Sequence, residues 1–151
     1  MTMVYEIEIR ELPSVTVATV REHVSMAVIG KAIGEAFGEV AEAVKAAGAS
    51  ITGMPFAIYH DVDPVEVEVE LGFPVDRILD IGRVHGASLP GRRVVTTVHA
   101  GPYDEVVEAY AALSAWIDEH DERQSGPPRE VYLNEPSEGV VPLTEVQIPL
   151  A

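Results

Sequence analysis

Cysteine is absent from the chain. Disulfides and thiolate metal sites are thereby excluded. Basic residues are scarce, 10 against 25 acidic ones, and the formal net charge is −15. Such a surface repels a phosphate backbone, so no direct nucleic-acid binding is expected, whereas its field favours cations. An acidic surface also serves solubility alone. Long hydrophobic runs are missing as well, and without them no membrane span is expected. The start, Met1-Thr2-Met3-Val4-Tyr5-Glu6, lacks the basic segment and apolar core of a secretory signal, which makes a cytoplasmic location the expectation. The five histidines (His23, His60, His85, His99, His120) show no metal-ligand spacing. The serines lack a nucleophile-elbow context, and residues 82–91 contain glycines without a phosphate-loop pattern. No metal and no cofactor are therefore expected.

What is present is a globular composition: 47% apolar and 23% charged residues in 151. That length suits one domain, residues 1–151, with a proper core. The chain repeats itself. Gly53-Met54-Pro55-Phe56-Ala57-Ile58-Tyr59-His60 resembles Gly126-Pro127-Pro128-Arg129-Glu130-Val131-Tyr132-Leu133 at an offset of 73. Each copy leads into an acidic or Asn-containing turn with a proline (His60–Pro64 and Asn134–Ser137). Each then enters a strand ending in Phe73-Pro74-Val75 or Ile148-Pro149-Leu150. Upstream, Val17-Ala18-Thr19-Val20 matches Val95-Thr96-Thr97-Val98. The halves run over about 1–76 and 77–151, and each reads strand, helix, strand, strand.

Ser14–Arg21 is β-branched and strand-like. Ile29, Ile33, Phe37, Val40 and Val44 recur at helical spacing. Gly30, Gly34 and Gly38 lie along that helix and weaken it by about 1 kcal/mol each, which suggests close approach of a backbone or a ligand. Val65, Val67, Val69 and Leu71 alternate with Glu66, Glu68, Glu70 and Gly72, the period of a half-exposed strand. In the second half, Val106, Val107, Tyr110, Leu113 and Ile117 form a helical stripe expected to be core. Tyr5–Glu11 adds an N-terminal strand. The expected class is α+β: a duplicated βαββ antiparallel sheet, two helices on one face, and a cleft between the halves.

Four carboxylates sit among apolar strand residues: Glu68, Glu70, Glu130 and Glu145. The repeat equates Glu70 with Glu145 and Ala57 with Glu130, so Glu130 is particular to the second half. Consistent strand faces would turn Glu130 and Tyr132 away from the helices. A carboxylate in an aromatic-lined pocket either neutralises a cationic ligand, with cation–π attraction of about 0.5–2 kcal/mol per ring, or acts on water as a base. Aromatic residues make up only 6% of the chain. Tyr59 and Tyr132 are repeat-equivalent, Tyr103 stands at the entrance of the second helix, and Trp116 falls beside its stripe.

The stretches Gly101-Pro102-Tyr103-Asp104-Glu105, Ala109-Tyr110, Ala115-Trp116-Ile117, Gly126–Pro136 and Leu143–Leu150 together resemble the GyrI-like, or AraC-type effector-binding, domains. Their order and spacing carry the resemblance, which covers almost the whole chain. It implies a drug-sized cleft with a glutamate ringed by aromatics. In regulators such a domain follows a DNA-binding helix-turn-helix, for which this sequence has no room, so a stand-alone member is expected. By position Glu145 is the first candidate for the central acid and Glu130 the second, with Tyr59, Tyr132, Tyr103 and Trp116 as aromatic partners. The expected ligand is a small aromatic or cationic molecule. Two other roles follow from relatives: a hydrolase of cyclopropane-bearing genotoxic compounds, with Glu145 or Glu130 activating water, or an interaction protein acting on gyrase or on a regulator. The resemblance leaves monomer and homodimer both open.

Overall fold

A computed structural model describes residues 4–135 and 137–151. Met1–Met3 and Pro136, in the second repeat turn, lie outside the described residues. The elements are β1 (Glu8–Leu12), β2 (Val15–Ser25), α1 (Ile29–Ala46), β3 (Phe56–Val62), β4 (Glu66–Pro74), β5 (Asp80–Ile81), β6 (Val84–Leu89), β7 (Arg92–Ala100), α2 (Val107–Glu119), β8 (Arg129–Tyr132) and β9 (Leu143–Pro149). The class is α+β with antiparallel strand pairing. The chain divides into two units. One is Pro13–Gly91; the other joins the residues up to Leu12 to Arg92–Ala151.

In the unit Pro13–Gly91 the strand order is β3-β4-β2-β6-β5. Alternation does what its period dictates: Val67, Val69 and Leu71 are buried, while Glu66, Glu68 and Glu70 take the other face of β4. Each fully buried Val or Leu contributes about 1.5–3 kcal/mol. The rings of Phe37 on α1 and Phe73 on β4 meet edge-on at 5.6 Å, which fixes the face that α1 covers. Val40 and Val44 are buried beneath it. Gly48, two residues past the end of α1, has a φ of +70° that suits glycine.

The glycine stripe on α1 departs from expectation. Gly30, Gly34 and Gly38 are exposed, and a Cβ at any of them meets nothing within 4 Å. Close approach occurs instead at Gly72, where a Cβ would lie 1.9 Å from the Ala18 carbonyl oxygen. The glycines of residues 82–91 give no strand signal, yet β5 and β6 form a hairpin there. It pairs on β2 through Val15↔Leu89 to Thr19↔His85. Arg83, in the turn between β5 and β6, holds Glu22 of β2 and Glu39 of α1, each at 2.7 Å.

In the other unit the strand order is β1-β7-β9-β8. Ala109, Leu113 and Ile117 of α2 pack with Val95, Val146, Ile148 and Leu150. Val107, expected in that stripe, is 66% exposed: the buried positions step from Ala109 by four residues each time, and Val107 lies off that line.

The two units repeat the same register. Ala57↔Leu71 in one corresponds to Glu130↔Val146 in the other, and Tyr59↔Val69 to Tyr132↔Thr144. Val17 lies opposite Pro74, and Val94 lies opposite Pro149. Val17 therefore matches Val94 rather than Val95, one residue from the pairing that the β-branched runs suggest.

Candidate ligand-binding site

The site grows from one position in β8. Cross-strand partners share a face in an antiparallel pair. Glu130 lies opposite Val146, which packs under α2, so Glu130 points towards the helix and Tyr132, two residues on, does the same. This reverses the expected orientation. The cause is the strand itself: β8 has four residues and too little apolar alternation to mark a dry face, whereas β9 has Val146 and Ile148 to set it. The equivalent position in the first half is Ala57, which is wholly buried. The second half thus carries a carboxylate where the first carries a core methyl.

Glu130 is 3% exposed. Burying a carboxylate is costly unless its oxygens are satisfied. Three tyrosines satisfy them. The Tyr103 hydroxyl donates to Oε1, the Tyr132 hydroxyl donates to the same oxygen at 3.0 Å, and the Tyr110 hydroxyl donates to Oε2 at 2.5 Å. The hydroxyls of Tyr103 and Tyr132 are 3.2 Å apart, and their rings lie 5.9 Å apart with a 54° tilt. Hydrogen bonds to a charged group are worth about 1.5–3 kcal/mol each, enough together to offset the desolvation. Tyr103 comes from a 3₁₀ turn, Tyr103–Glu105, at the entrance of α2. Tyr110 lies seven residues on, two helical turns along the same side.

Glu145 lies opposite Val98 on β7 and Val131 on β8, on the face away from α2. Glu130 and Glu145 are therefore on opposite faces. Glu145 accepts from Arg10 at 2.7 Å and from Gln147 at 2.6 Å. A groove of about 540 Å³ opens on that side, lined by Glu6, Glu8, Thr96, Val98 and Glu145, and does not include Glu130. Glu70, the repeat equivalent of Glu145, is likewise held by polar neighbours. Thr19 donates to it at 2.7 Å, His60 lies at 2.8 Å, and Arg21 stands 3.7 Å away. Glu68 is half exposed beside Arg21 at 3.2 Å.

Of the aromatic candidates, Tyr103 and Tyr132 join Glu130. Trp116 is partly buried on the α2 core and stacks on His120 at 4.1 Å. Tyr59 lies on β3, half-buried, opposite Val69 in the other unit. Helical spacing assigns Tyr110 to the core and misses its hydroxyl bond, because spacing reports where a side chain leaves the helix and not where its far end arrives. Its seven-residue separation from Tyr103 is the signal that could have found it. No group of three or more potential metal ligands gathers among the described residues.

The chain belongs to the family of GyrI-like small molecule binding domains, whose model matches residues 5–151. The crystal structure of the EcmrR C-terminal domain superposes with a TM-score of 0.88 at 26% identity, over 99% of both chains. EcmrR in its complex with DNA gives the same TM-score and identity; the match covers 97% of this chain and 57% of that one, so this chain spans little more than half of it. A hydrolase from Listeria innocua has the same fold at a TM-score of 0.67 and 17% identity, over 97% of this chain and 92% of that one. SAV2435 bound to tetraphenylphosphonium also shares it, at 0.63 and 15%, over 99% and 94%. No curated protein matches the sequence. Among the described residues no helix is long and apolar enough to cross a membrane.

Proposed function

We propose that this domain binds small lipophilic aromatic cations, with Glu130 as the charge partner and Tyr103, Tyr110 and Tyr132 as the aromatic wall. The observation that carries the reading is the acid at a core position that the other repeat fills with Ala57. A fold that is complete with a methyl there gains nothing in stability from a carboxylate, so the acid points to a ligand.

The chemistry of the ring favours cations. The hydroxyls satisfy the Glu130 oxygens by donation while bringing no formal charge of their own. A cation reaching the ring meets a carboxylate already held in place, and tyrosine faces add attraction of about 0.5–2 kcal/mol each. Aromatic walls select by class rather than by detailed outline, as a multidrug-binding site requires. Both Glu130 oxygens already accept hydrogen bonds, which supports holding charge over activating water. The phosphonium bound by SAV2435, a protein of the same fold, is a cation of this class.

Isothermal titration with tetraphenylphosphonium tests the reading. Binding with a Kd of about 100 μM or tighter is expected for the natural sequence. A loss of about tenfold or more in Glu130→Gln is expected too. Absence of heat, or equal affinity in the variant, rejects it.

A further inference from the structure

We infer that His99 is a positioning residue that ties the N-terminal segment to the Glu130 site by clamping the turn that carries Tyr103. His99, on β7, is wholly buried, and the site chemistry described so far makes no use of it. Its Nε2 lies 3.0 Å from the carbonyl oxygen of Pro102, and its Nδ1 lies 2.8 Å from the Tyr5 hydroxyl. A carbonyl only accepts, so Nε2 carries the hydrogen. In the neutral ring Nδ1 then accepts and Tyr5 donates. Burial, with Glu108 and Glu105 adding repulsion, holds the Tyr5 hydroxyl above its ordinary pKa, and it remains a donor. The two rings stack at 6.0 Å.

The clamped carbonyl stands one residue before Tyr103. It also accepts from the backbone N–H of Glu105 at 3.0 Å, closing the 3₁₀ turn. On its other side Gly101 has φ +143° and donates its N–H to the Pro142 carbonyl at 3.0 Å. The Pro102 carbonyl is thus held by two donors and the Gly101 N–H just before it by a third bond, and among the described residues the imidazole is the buried side chain that takes part. Tyr103 itself is 41% exposed, so packing alone does little to place it. The relay Tyr5–His99–Pro102 adds a backbone constraint at the base of Tyr103, whose hydroxyl meets Glu130. Its consequence for ligand affinity rests on the proposed role of Glu130; the positioning does not.

The test reads Tyr103 without a ligand. Protein labelled with ¹³Cζ-tyrosine is compared across His99→Gln, His99→Asn and Glu130→Gln. Glutamine keeps an N–H near the Nε2 position and preserves the tether to Pro102, whereas asparagine reaches only the Nδ1 position and loses it. The Tyr103 resonance is expected to stay at its natural position in His99→Gln. In His99→Asn it is expected to move towards its position in Glu130→Gln. A folded His99→Asn protein with an unmoved Tyr103 resonance overturns the inference, as does an equal displacement in both His99 variants. Nitrogen-15 spectra of the unaltered protein decide the matter should the asparagine variant not fold: a proton at Nε2 of His99 is required, and a ring protonated at Nδ1 alone overturns it.

Discussion

The Tyr110 hydroxyl donates to Oε2 of Glu130 at 2.5 Å, joining a helix residue with core spacing to the buried acid of β8. That oxygen loses this donor in Tyr110→Phe. The expected cost is about 1.5–3 kcal/mol of unfolding free energy, read from urea titration. Tyr103→Phe, altering a residue 41% exposed, is expected to cost less. Equal stability of Tyr110→Phe and the natural protein would show that the bond does not form in solution.

Glu130→Ala restores the first half's residue at the equivalent position. It removes a buried charge together with the partner of three hydroxyls, and the cavity it leaves is lined by polar groups able to hold water. Affinity for an aryl onium cation is expected to fall at least about tenfold, while the thermal midpoint falls by no more than a few degrees. Calorimetry on one preparation reads both. Collapse of the fold on this change would mean that the acid is structural.

Selection among cations follows from the donors already in place. A benzyl trimethylammonium needs no hydrogen-bond acceptor, whereas the matching protonated benzyl dimethylamine carries an N–H that must compete for a carboxylate already holding three donors. The quaternary compound is expected to bind more tightly, by about 1 kcal/mol or roughly fivefold. Tighter binding of the protonated amine in competition titration would contradict this.

Acid sensitivity has named sources. Hydrogen bonding from Arg93 holds the Glu122 carboxyl below its ordinary pKa, and Arg83 does the same for Glu39. For a carboxylate lowered in the folded state, the stabilisation is present above the unfolded value and lost as pH falls through the folded one. Stability should therefore decline from about pH 5 towards pH 3, and Arg93→Gln should flatten part of that slope. Both carboxylates are solvated, so the effect is small. An identical slope in the variant, from melts across that window, counts against it.

Two glycine substitutions should act with opposite sign. Gly72→Ala drives a methyl against the Ala18 carbonyl and should destabilise by at least about 2 kcal/mol. Gly38→Ala, on the open face of α1, should stabilise by about 0.5–1 kcal/mol. Denaturant midpoints of the pair check this, and a stable Gly72→Ala would refute the close strand approach.

The repeat is legible because β3 and β8 hold one offset, and pairing with β4 and β9 confirms Ala57 and Glu130 as equivalents. The correspondence of β2 with β7 slips by one residue in the sequence, since runs of Val and Thr look alike when slid by a step; only their partners, Pro74 and Pro149, set the register. The β5–β6 hairpin is hidden because Gly86 reads as a loop residue. It is there for space, as a Cβ would come within 2.7 Å of the Leu79 backbone. The sequence places Glu130 among four candidate acids, second to Glu145, and Tyr103 and Tyr132 among the candidate aromatics. The face they share cannot, because it is decided by the neighbouring strand.

The most direct measurement sets the two acids against each other. Isothermal titration of one aryl phosphonium into the natural protein, Glu130→Gln and Glu145→Gln compares them on equal terms. Glu130 is ringed by hydroxyls on the α2 side, and Glu145 is ion-paired with Arg10 on the other face. Affinity is expected to fall about tenfold to a hundredfold in Glu130→Gln and to stay within about twofold in Glu145→Gln. The reverse order, or equal losses in both, would contradict Glu130 as the charge partner.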